Sequence, residues 1–126
     1  MSDMNNISDK AVVSPKALIG SNVSIGPFTI IEDGVTIRDG ASIQSNVIVH
    51  KGTTIDSGVR IFHSAIIGGE PQDLKFSGEE TTLEIGERTV IREFATISRG
   101  TSARGKTVIG RNNYIMNYVH IPHDSI

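Results

Sequence analysis

The sequence predicts an all-β chain that folds as a parallel β-solenoid, because an aliphatic residue recurs at every sixth position. Counted in sixes from Ile7 to Ile121, seventeen of the twenty positions hold Ile or Val. A helix repeats its apolar residues about every 3.6 positions and a half-buried strand every second position, so this period fits neither. It fits a chain that forms a short strand, turns a corner and repeats. Three units would complete one triangular coil of about 18 residues, so seventeen units predict a triangular prism of five to six coils.

Each repeat unit also carries the residue types that a corner requires. Four positions after the aliphatic residue comes a small or β-branched residue, such as Ala17, Val23 or Thr29, which we place near the turn. Gly, Asn, Asp and Ser are frequent at the other positions of each unit, and these residues tolerate the left-handed backbone of a tight corner. The lack of tryptophan suits an interior filled by aliphatic ladders, since ordinary globular cores depend more on aromatic residues.

The composition excludes several classes of protein. Twelve basic residues nearly balance fourteen acidic ones, so no overall charge drives binding to nucleic acid or to an anionic membrane. The absence of cysteine excludes disulfides and a thiol nucleophile, and it is compatible with a cytoplasmic location. No apolar run approaches the roughly 20 residues of a membrane span, and the N-terminus lacks the apolar segment of a signal peptide. We expect residues 1–6 to be a disordered or tag-like N-terminus and residues 7–126 to be one β-helix domain.

Two polar, glycine-containing segments interrupt the repeat. We expect residues 68–82 and residues 98–106 to be loops extruded from corners, and such insertions often lie on the binding face of a solenoid. Both segments are also compatible with tolerated surface insertions.

At the C-terminal end of the sequence, a repeat unit begins at Ile121 and no capping unit follows, although repeat proteins normally close their ends. We therefore expect the chain to be a fragment of a longer protein or to be covered there by another chain.

Three blocks of the sequence resemble one enzyme family in their order and spacing. They are residues 69–76 (GEPQDLKF), residues 91–101 (IREFATISRGT) and residues 117–124 (NYVHIPHD). Together with the six-residue repeat they resemble the UDP-N-acetylglucosamine O-acyltransferases of lipid A biosynthesis, a hexapeptide-repeat family. The resemblance begins at Ile7 and covers about the first half of a typical member, without its later coils and C-terminal helical domain. It implies a left-handed β-helix, although parallel crossovers are otherwise right-handed.

The resemblance implies transfer of a 3-hydroxyacyl chain from acyl carrier protein to the 3-hydroxyl of UDP-N-acetylglucosamine. His123 matches the general base of the family, and its neighbour Asp124 is expected to orient or polarise the imidazole. The residues that match the substrate-binding site are Gln72, Asp73, Lys75 and His120. The family works as a cytoplasmic homotrimer with sites at the subunit clefts, and no cofactor, metal or nucleic acid is implied. Because the later coils are missing, we expect this chain alone to be inactive or nearly so.

Two other functions remain open on the sequence alone. A zinc hydratase of the γ-carbonic anhydrase type would need three converging histidines, for which His63, His120 and His123 are the candidates. A non-catalytic solenoid would use its open terminal coil to pair with another chain. We expect the basic residues of the second loop either to form a patch for the acidic acyl carrier protein or simply to be solvated surface; they are Arg99, Arg104 and Lys106.

Overall fold

The computed structural model describes residues 4–126, and residues 1–3 lie outside the described residues. Seventeen strands of two to four residues alternate with corners along this part of the chain. Each strand pairs in parallel with the third strand before or after it, so the chain winds around three sheets. Residues 4–126 include no helix long and apolar enough to cross a membrane. The all-β parallel solenoid that the sequence predicts is confirmed.

Each of the three sheets forms one face of the solenoid. The first face contains six strands: β1 (Asn6–Ile7), β4 (Ser24–Ile25), β7 (Ser42–Ile43), β10 (Arg60–Ile61), β13 (Val90–Ile91) and β16 (Tyr114–Ile115). The second face contains six: β2 (Val12–Val13), β5 (Ile30–Ile31), β8 (Ile48–Val49), β11 (Ile66–Gly69), β14 (Thr96–Ser98) and β17 (His120–Ile121). The third face contains five: β3 (Leu18–Ile19), β6 (Thr36–Ile37), β9 (Thr53–Ile55), β12 (Thr82–Ile85) and β15 (Lys106–Ile109). With three strands to a coil, the chain completes five coils and two strands of a sixth.

The strand register stacks equivalent residues of successive coils into inward-pointing rows. Ile25 pairs with Ile43, and Ile43 pairs with Ile61, so these three side chains form one buried row. The small residues that we placed near the turns also point inward, and Val47 and Ala65 are fully buried. Both positions of each repeat therefore build the core. Burying one such isoleucine side chain contributes roughly 1.5–3 kcal/mol.

Thr29 and Thr89, at inward corner positions, each tie one coil to the next. The hydroxyl of Thr29 donates to the carbonyl of Gln44 at 2.6 Å and accepts from the amide of Val47 at 3.2 Å. Thr89 makes the same two bonds to its next coil, at 2.8 and 3.2 Å. A buried hydroxyl is costly without a partner, and at these corners the partner is the backbone of the next coil.

Both predicted insertions are confirmed, and both leave the solenoid at the same corner, between the second and third faces. The first loop, residues 70–81, joins β11 to β12, and the second loop, residues 99–105, joins β14 to β15. Their bounds are narrower than expected because the flanking residues extend the strands. Since β11 pairs with β14 and β12 pairs with β15, the two loops leave from neighbouring coils at one edge of the molecule.

The first coil begins at Asn6 or before it, although the repeat predicts a start at Ile7. Asn6 pairs with Ser24, and the side chain of Asn5 donates to the carbonyl of Gly20 at 3.0 Å and accepts from the amide of Val23 at 2.9 Å. The disordered or tag-like N-terminus was expected at residues 1–6, and of these residues 1–3 lie outside the described residues. For those residues it stays a prediction.

Candidate active site

The corner that follows β17 carries the two residues expected to act in catalysis. His123 Nδ1 lies 2.9 Å from Asp124 Oδ2. A carboxylate only accepts hydrogen bonds, so Nδ1 carries the proton of this bond and Nε2 is left to accept a proton. The His123 side chain is 31% exposed and that of Asp124 is 12% exposed. Adjacency in the sequence left their contact open, and the structure places them in direct contact.

Asp124 is held by the second loop and by the third face. The amide of Thr101 donates to Asp124 Oδ1 at 2.8 Å, and the hydroxyl of Thr101 donates to Asp124 Oδ2 at 2.5 Å. The amide of Asp124 donates to Thr107 Oγ1 at 2.8 Å. Its backbone is left-handed, with φ at 62°, at the same corner where Gly34 and Gly52 have positive φ in earlier coils. Aspartate tolerates this conformation better than most side chains, so the corner can present a carboxylate there.

The hydrogen bonds around Asp124 keep it ionised. Burial raises the pKa of Asp124, but hydrogen bonds from Thr101, from His123 and from the amides of Thr101 and Arg104 outweigh burial and lower the pKa to about 2. The pKa of an aspartate in an unfolded chain is about 3.9. A pKa that folding lowers stabilises the fold fully above the unfolded value, and this contribution is lost as the pH falls through the folded value.

Replacing Asp124 by asparagine should therefore lower the free energy of unfolding by about 2–3 kcal/mol near pH 7, since folding lowers the pKa from about 3.9 to about 2 and one pKa unit corresponds to about 1.4 kcal/mol. The difference between the two proteins should shrink as the pH falls from about 4 to about 2, because the wild-type chain loses the contribution of its carboxylate there. Urea denaturation at a fixed chain concentration across this pH range measures the difference. A difference that stays constant from pH 7 to pH 2 would show that the carboxylate is not linked to folding.

His120 lies next to this corner but makes separate contacts. It belongs to β17, its side chain faces outward, and its Nδ1 lies 2.8 Å from the hydroxyl of Thr96 on the neighbouring strand. Within residues 4–126, no hydrogen bond joins His120 to His123. His120 is thus a second exposed imidazole on the second face, close along the chain to His123.

The three residues that we expect to bind the sugar nucleotide, Gln72, Asp73 and Lys75, lie on the first loop. This loop leaves the solenoid at the edge where His123 also lies. The amide of Lys75 donates to Asp73 Oδ1 at 2.9 Å, which closes a local turn, and the side chains of Gln72 and Lys75 are exposed. Across the described part of the chain, no hydrogen bond or ion pair joins these three residues to His123. Within a single chain, the three loop residues therefore lie at the same edge as His123 but do not contact its imidazole.

Arg99 connects the two loops and is buried. The expected basic surface patch therefore does not include it. The residue is 7% exposed, its Nη1 donates to the carbonyl of Gly68 at 3.2 Å, and its guanidinium lies 5.4 Å from the ring centroid of Phe76. A buried guanidinium cannot belong to a surface patch for a protein partner. Lys106 remains on the surface, where its Nζ lies 3.8 Å from a carboxylate oxygen of Glu84.

The histidines that a zinc hydratase would need do not converge. His63 lies at the corner between the first and second faces, whereas His123 lies at the corner between the second and third. Among residues 4–126, no three His, Asp or Glu side chains are arranged so that they could hold a metal ion. The described residues do not supply the three-ligand set that this alternative requires.

Sequence reasoning missed Thr101 and Thr107, which bond directly to Asp124. Thr101 stands four positions after Ile97, which is an inward position of the repeat. A polar residue at such a position needs a buried partner, and this was the available signal. The second loop interrupts the period there, so the sequence does not reveal which residue the hydroxyl of Thr101 meets.

Several curated proteins that share one name match part of the chain, whereas no family model matches it. The acyl-[acyl-carrier-protein]–UDP-N-acetylglucosamine O-acyltransferase of Chlorobaculum parvum is 53% identical over 72 residues, which cover 57% of this chain and 27% of that protein. The protein of the same name from Aquifex aeolicus is 52% identical over 67 residues, which cover 52% of this chain and 26% of that protein.

Solved structures match nearly the whole chain. The UDP-N-acetylglucosamine acyltransferase of Bacteroides fragilis 9343 has a TM-score of 0.92 at 49% identity, covering 93% of this chain and 46% of that chain. That of Francisella novicida has a TM-score of 0.91 at 40% identity, covering 94% of this chain and 44% of that chain. These similarities confirm the resemblance and the left-handed parallel β-helix. The chain spans less than half the length of the proteins that it matches.

Proposed function

We propose that this chain is the N-terminal part of a UDP-N-acetylglucosamine O-acyltransferase that moves a 3-hydroxyacyl chain from acyl carrier protein to the sugar 3-hydroxyl, the first step of lipid A biosynthesis. The observation that carries the proposal is the His123–Asp124 pair at the loop-bearing corner of the β-helix. The names of the similar proteins supply the acyl donor and the acceptor. A non-catalytic solenoid would have no use for an ionised carboxylate that orients an imidazole.

In this reaction His123 acts as the general base. A sugar hydroxyl is a poor nucleophile at neutral pH and needs a base aligned on its proton. Nε2 of His123 takes that proton while the sugar oxygen attacks the thioester carbonyl. The new C–O bond forms, the C–S bond breaks, and the imidazolium returns the proton to the leaving thiolate. The ionised Asp124 stabilises the positive charge on the ring and holds its orientation.

The first loop and His120 provide the expected contacts with the acceptor. The exposed side chains of Gln72 and Lys75 are available to the ligand, with the Lys75 ammonium suited to a phosphate or ribose oxygen. Asp73 is suited to accept from sugar hydroxyls, and His120 serves in binding. We infer that the chain works as a cytoplasmic homotrimer, in which a neighbouring subunit completes the site. Transfer of an acyl group from a thioester to a hydroxyl requires no cofactor.

The isolated chain is expected to show no measurable acyl transfer, or nearly none, because the resemblance covers less than half of the relatives' length. A chimera in which residues 7–126 replace the matching segment of the Bacteroides fragilis enzyme is expected to be active. Mass spectrometry of the acylated sugar nucleotide measures turnover, with the unaltered Bacteroides enzyme as the positive control. A chimera with the size and circular dichroism of that enzyme but without ester formation would refute the proposed function. Full turnover by the isolated chain would refute its expected inactivity.

A further inference from the structure

We propose that Thr101 is a positioning residue: it fixes the carboxylate of Asp124 and thereby selects the tautomer of His123 that leaves Nε2 free to accept a proton. The catalytic consequence rests on the proposed function, whereas the effect on the tautomer does not. No role for Thr101 followed from the sequence, although it is the last residue of the second block that resembles the acyltransferases.

One residue engages both oxygens of the carboxylate. The amide of Thr101 bonds to Oδ1 and its hydroxyl to Oδ2, and Oδ2 is also the oxygen that contacts His123 Nδ1. Two bonds from one residue to the two oxygens oppose rotation of the carboxylate, so the oxygen facing the imidazole stays in place. A carboxylate fixed in this way favours the proton on Nδ1, because it offers Nδ1 only an acceptor.

Thr101 can hold Asp124 because the base of the second loop is itself fixed. The amide of Gly100 donates to the carbonyl of Thr82 at 3.1 Å, and the amide of Gly105 donates to the carbonyl of Thr101 at 2.6 Å. A Cβ atom on Gly100 would lie 2.3 Å from the backbone nitrogen of Lys106, so the two ends of the loop pack backbone against backbone. The Thr101 side of the contact is therefore set by the fold.

The hydroxyl of Thr101 differs from those of Thr29 and Thr89 in what it contacts. Thr29 and Thr89 donate to backbone carbonyls of the next coil, which ties the coils together. Thr101 donates instead to the side chain of Asp124, although it too is buried, at 5% exposed. The hydroxyl of Thr101 therefore orients a functional side chain, whereas those of Thr29 and Thr89 join two segments of backbone.

The first test uses this chain and needs no catalysis. At a pH where His123 is neutral, ¹⁵N chemical shifts of its ring are expected to show mainly the Nδ1–H tautomer in the wild-type chain and a mixture in Thr101→Val. Thr101→Ser, which keeps the hydroxyl, is expected to restore the wild-type shifts. Thr89→Val, a buried corner threonine remote from His123, is the matched control and should leave these shifts unchanged. Identical ring shifts in the wild-type chain and Thr101→Val would overturn the proposal.

A second measurement uses the unaltered chain, so it tests the same contact even if Thr101→Val does not fold. In the unaltered chain, the hydroxyl proton of Thr101 is expected to exchange slowly and to show a nuclear Overhauser effect to the His123 ring, because it is buried in a bond to a carboxylate. A rapidly exchanging hydroxyl proton would overturn the geometry on which the proposal depends.

The catalytic consequence is tested in the chimera. Thr101→Val is expected to lower kcat about tenfold or more with KM for the sugar nucleotide nearly unchanged, because a poorly oriented base weakens an interaction that is made only in the transition state. Thr101→Ser should retain most of kcat, and Thr89→Val all of it. A loss confined to KM, or an equal loss in Thr101→Ser, would overturn the positioning role. An inactive unsubstituted chimera would instead count against the proposed function, and the ring shifts would still decide the role of Thr101.

Discussion

Replacing His123 by glutamine in the chimera is expected to lower kcat by about 10²- to 10⁴-fold, the range that general base catalysis contributes. Glutamine is polar and similar in reach, but it cannot take a proton from the sugar hydroxyl. The KM for UDP-N-acetylglucosamine should change little, because the proton is transferred in the transition state and the binding contacts are assigned to other residues. Initial rates at saturating acyl donor measure both parameters.

The matched control for this substitution is His63→Gln. His63 is an exposed histidine whose Nδ1 lies 3.2 Å from Oε1 of Gln44, at a different corner of the solenoid. Its replacement is expected to leave kcat unchanged. Equal losses in His63→Gln and His123→Gln, or no loss in either variant, would show that His123 is not the base.

Replacing Ile61 by alanine is expected to lower the free energy of unfolding by about 2–5 kcal/mol. Ile61 is fully buried between Ile43 and Ile91 in one inward row, and paired strands on both sides hold its neighbours in place. The surrounding rows therefore cannot collapse far into the space left by the missing carbons. Urea denaturation of the wild-type and variant chains at equal concentration measures this loss.

Leu18→Ala provides the comparison, since Leu18 is 67% exposed. This substitution removes the same number of carbon atoms from the outer surface, and its cost is expected to stay within about 0.5 kcal/mol. If Ile61→Ala costs no more than Leu18→Ala, the stacked inward rows do not provide the stability of the fold.

The period of six was sufficient to predict the architecture but not its handedness. The positions of Ile25, Ile43 and Ile61 in one row follow directly from three units per coil, and the loss of the period at Asp73 and Glu79 marks the first loop. A repeat length contains no information on the hand of the coil, and the general preference of parallel crossovers is for the right hand. The left hand came from the resemblance to known acyltransferases.

The candidate site was predictable only in part, because its contacts join distant coils. The block that contains His123 and Asp124 identified the pair, and adjacency made their contact possible. The bond from Thr101 spans 23 residues, and the burial of Arg99 depends on the first loop folding over it. Arginine is rarely buried, so the sequence favoured a surface position for Arg99. Such contacts depend on how the loops pack, which the repeat does not specify.

The distance from His123 Nε2 to the 3-hydroxyl oxygen of bound UDP-N-acetylglucosamine, in a crystal structure of the chimera, tests the central claim most directly. The proposed mechanism requires about 2.6–3.2 Å between these atoms, with Asp73 and Lys75 in contact with the same ligand. A sugar hydroxyl far from Nε2, or a nucleotide bound away from the loop-bearing corner, would contradict the assignment of His123 as the base.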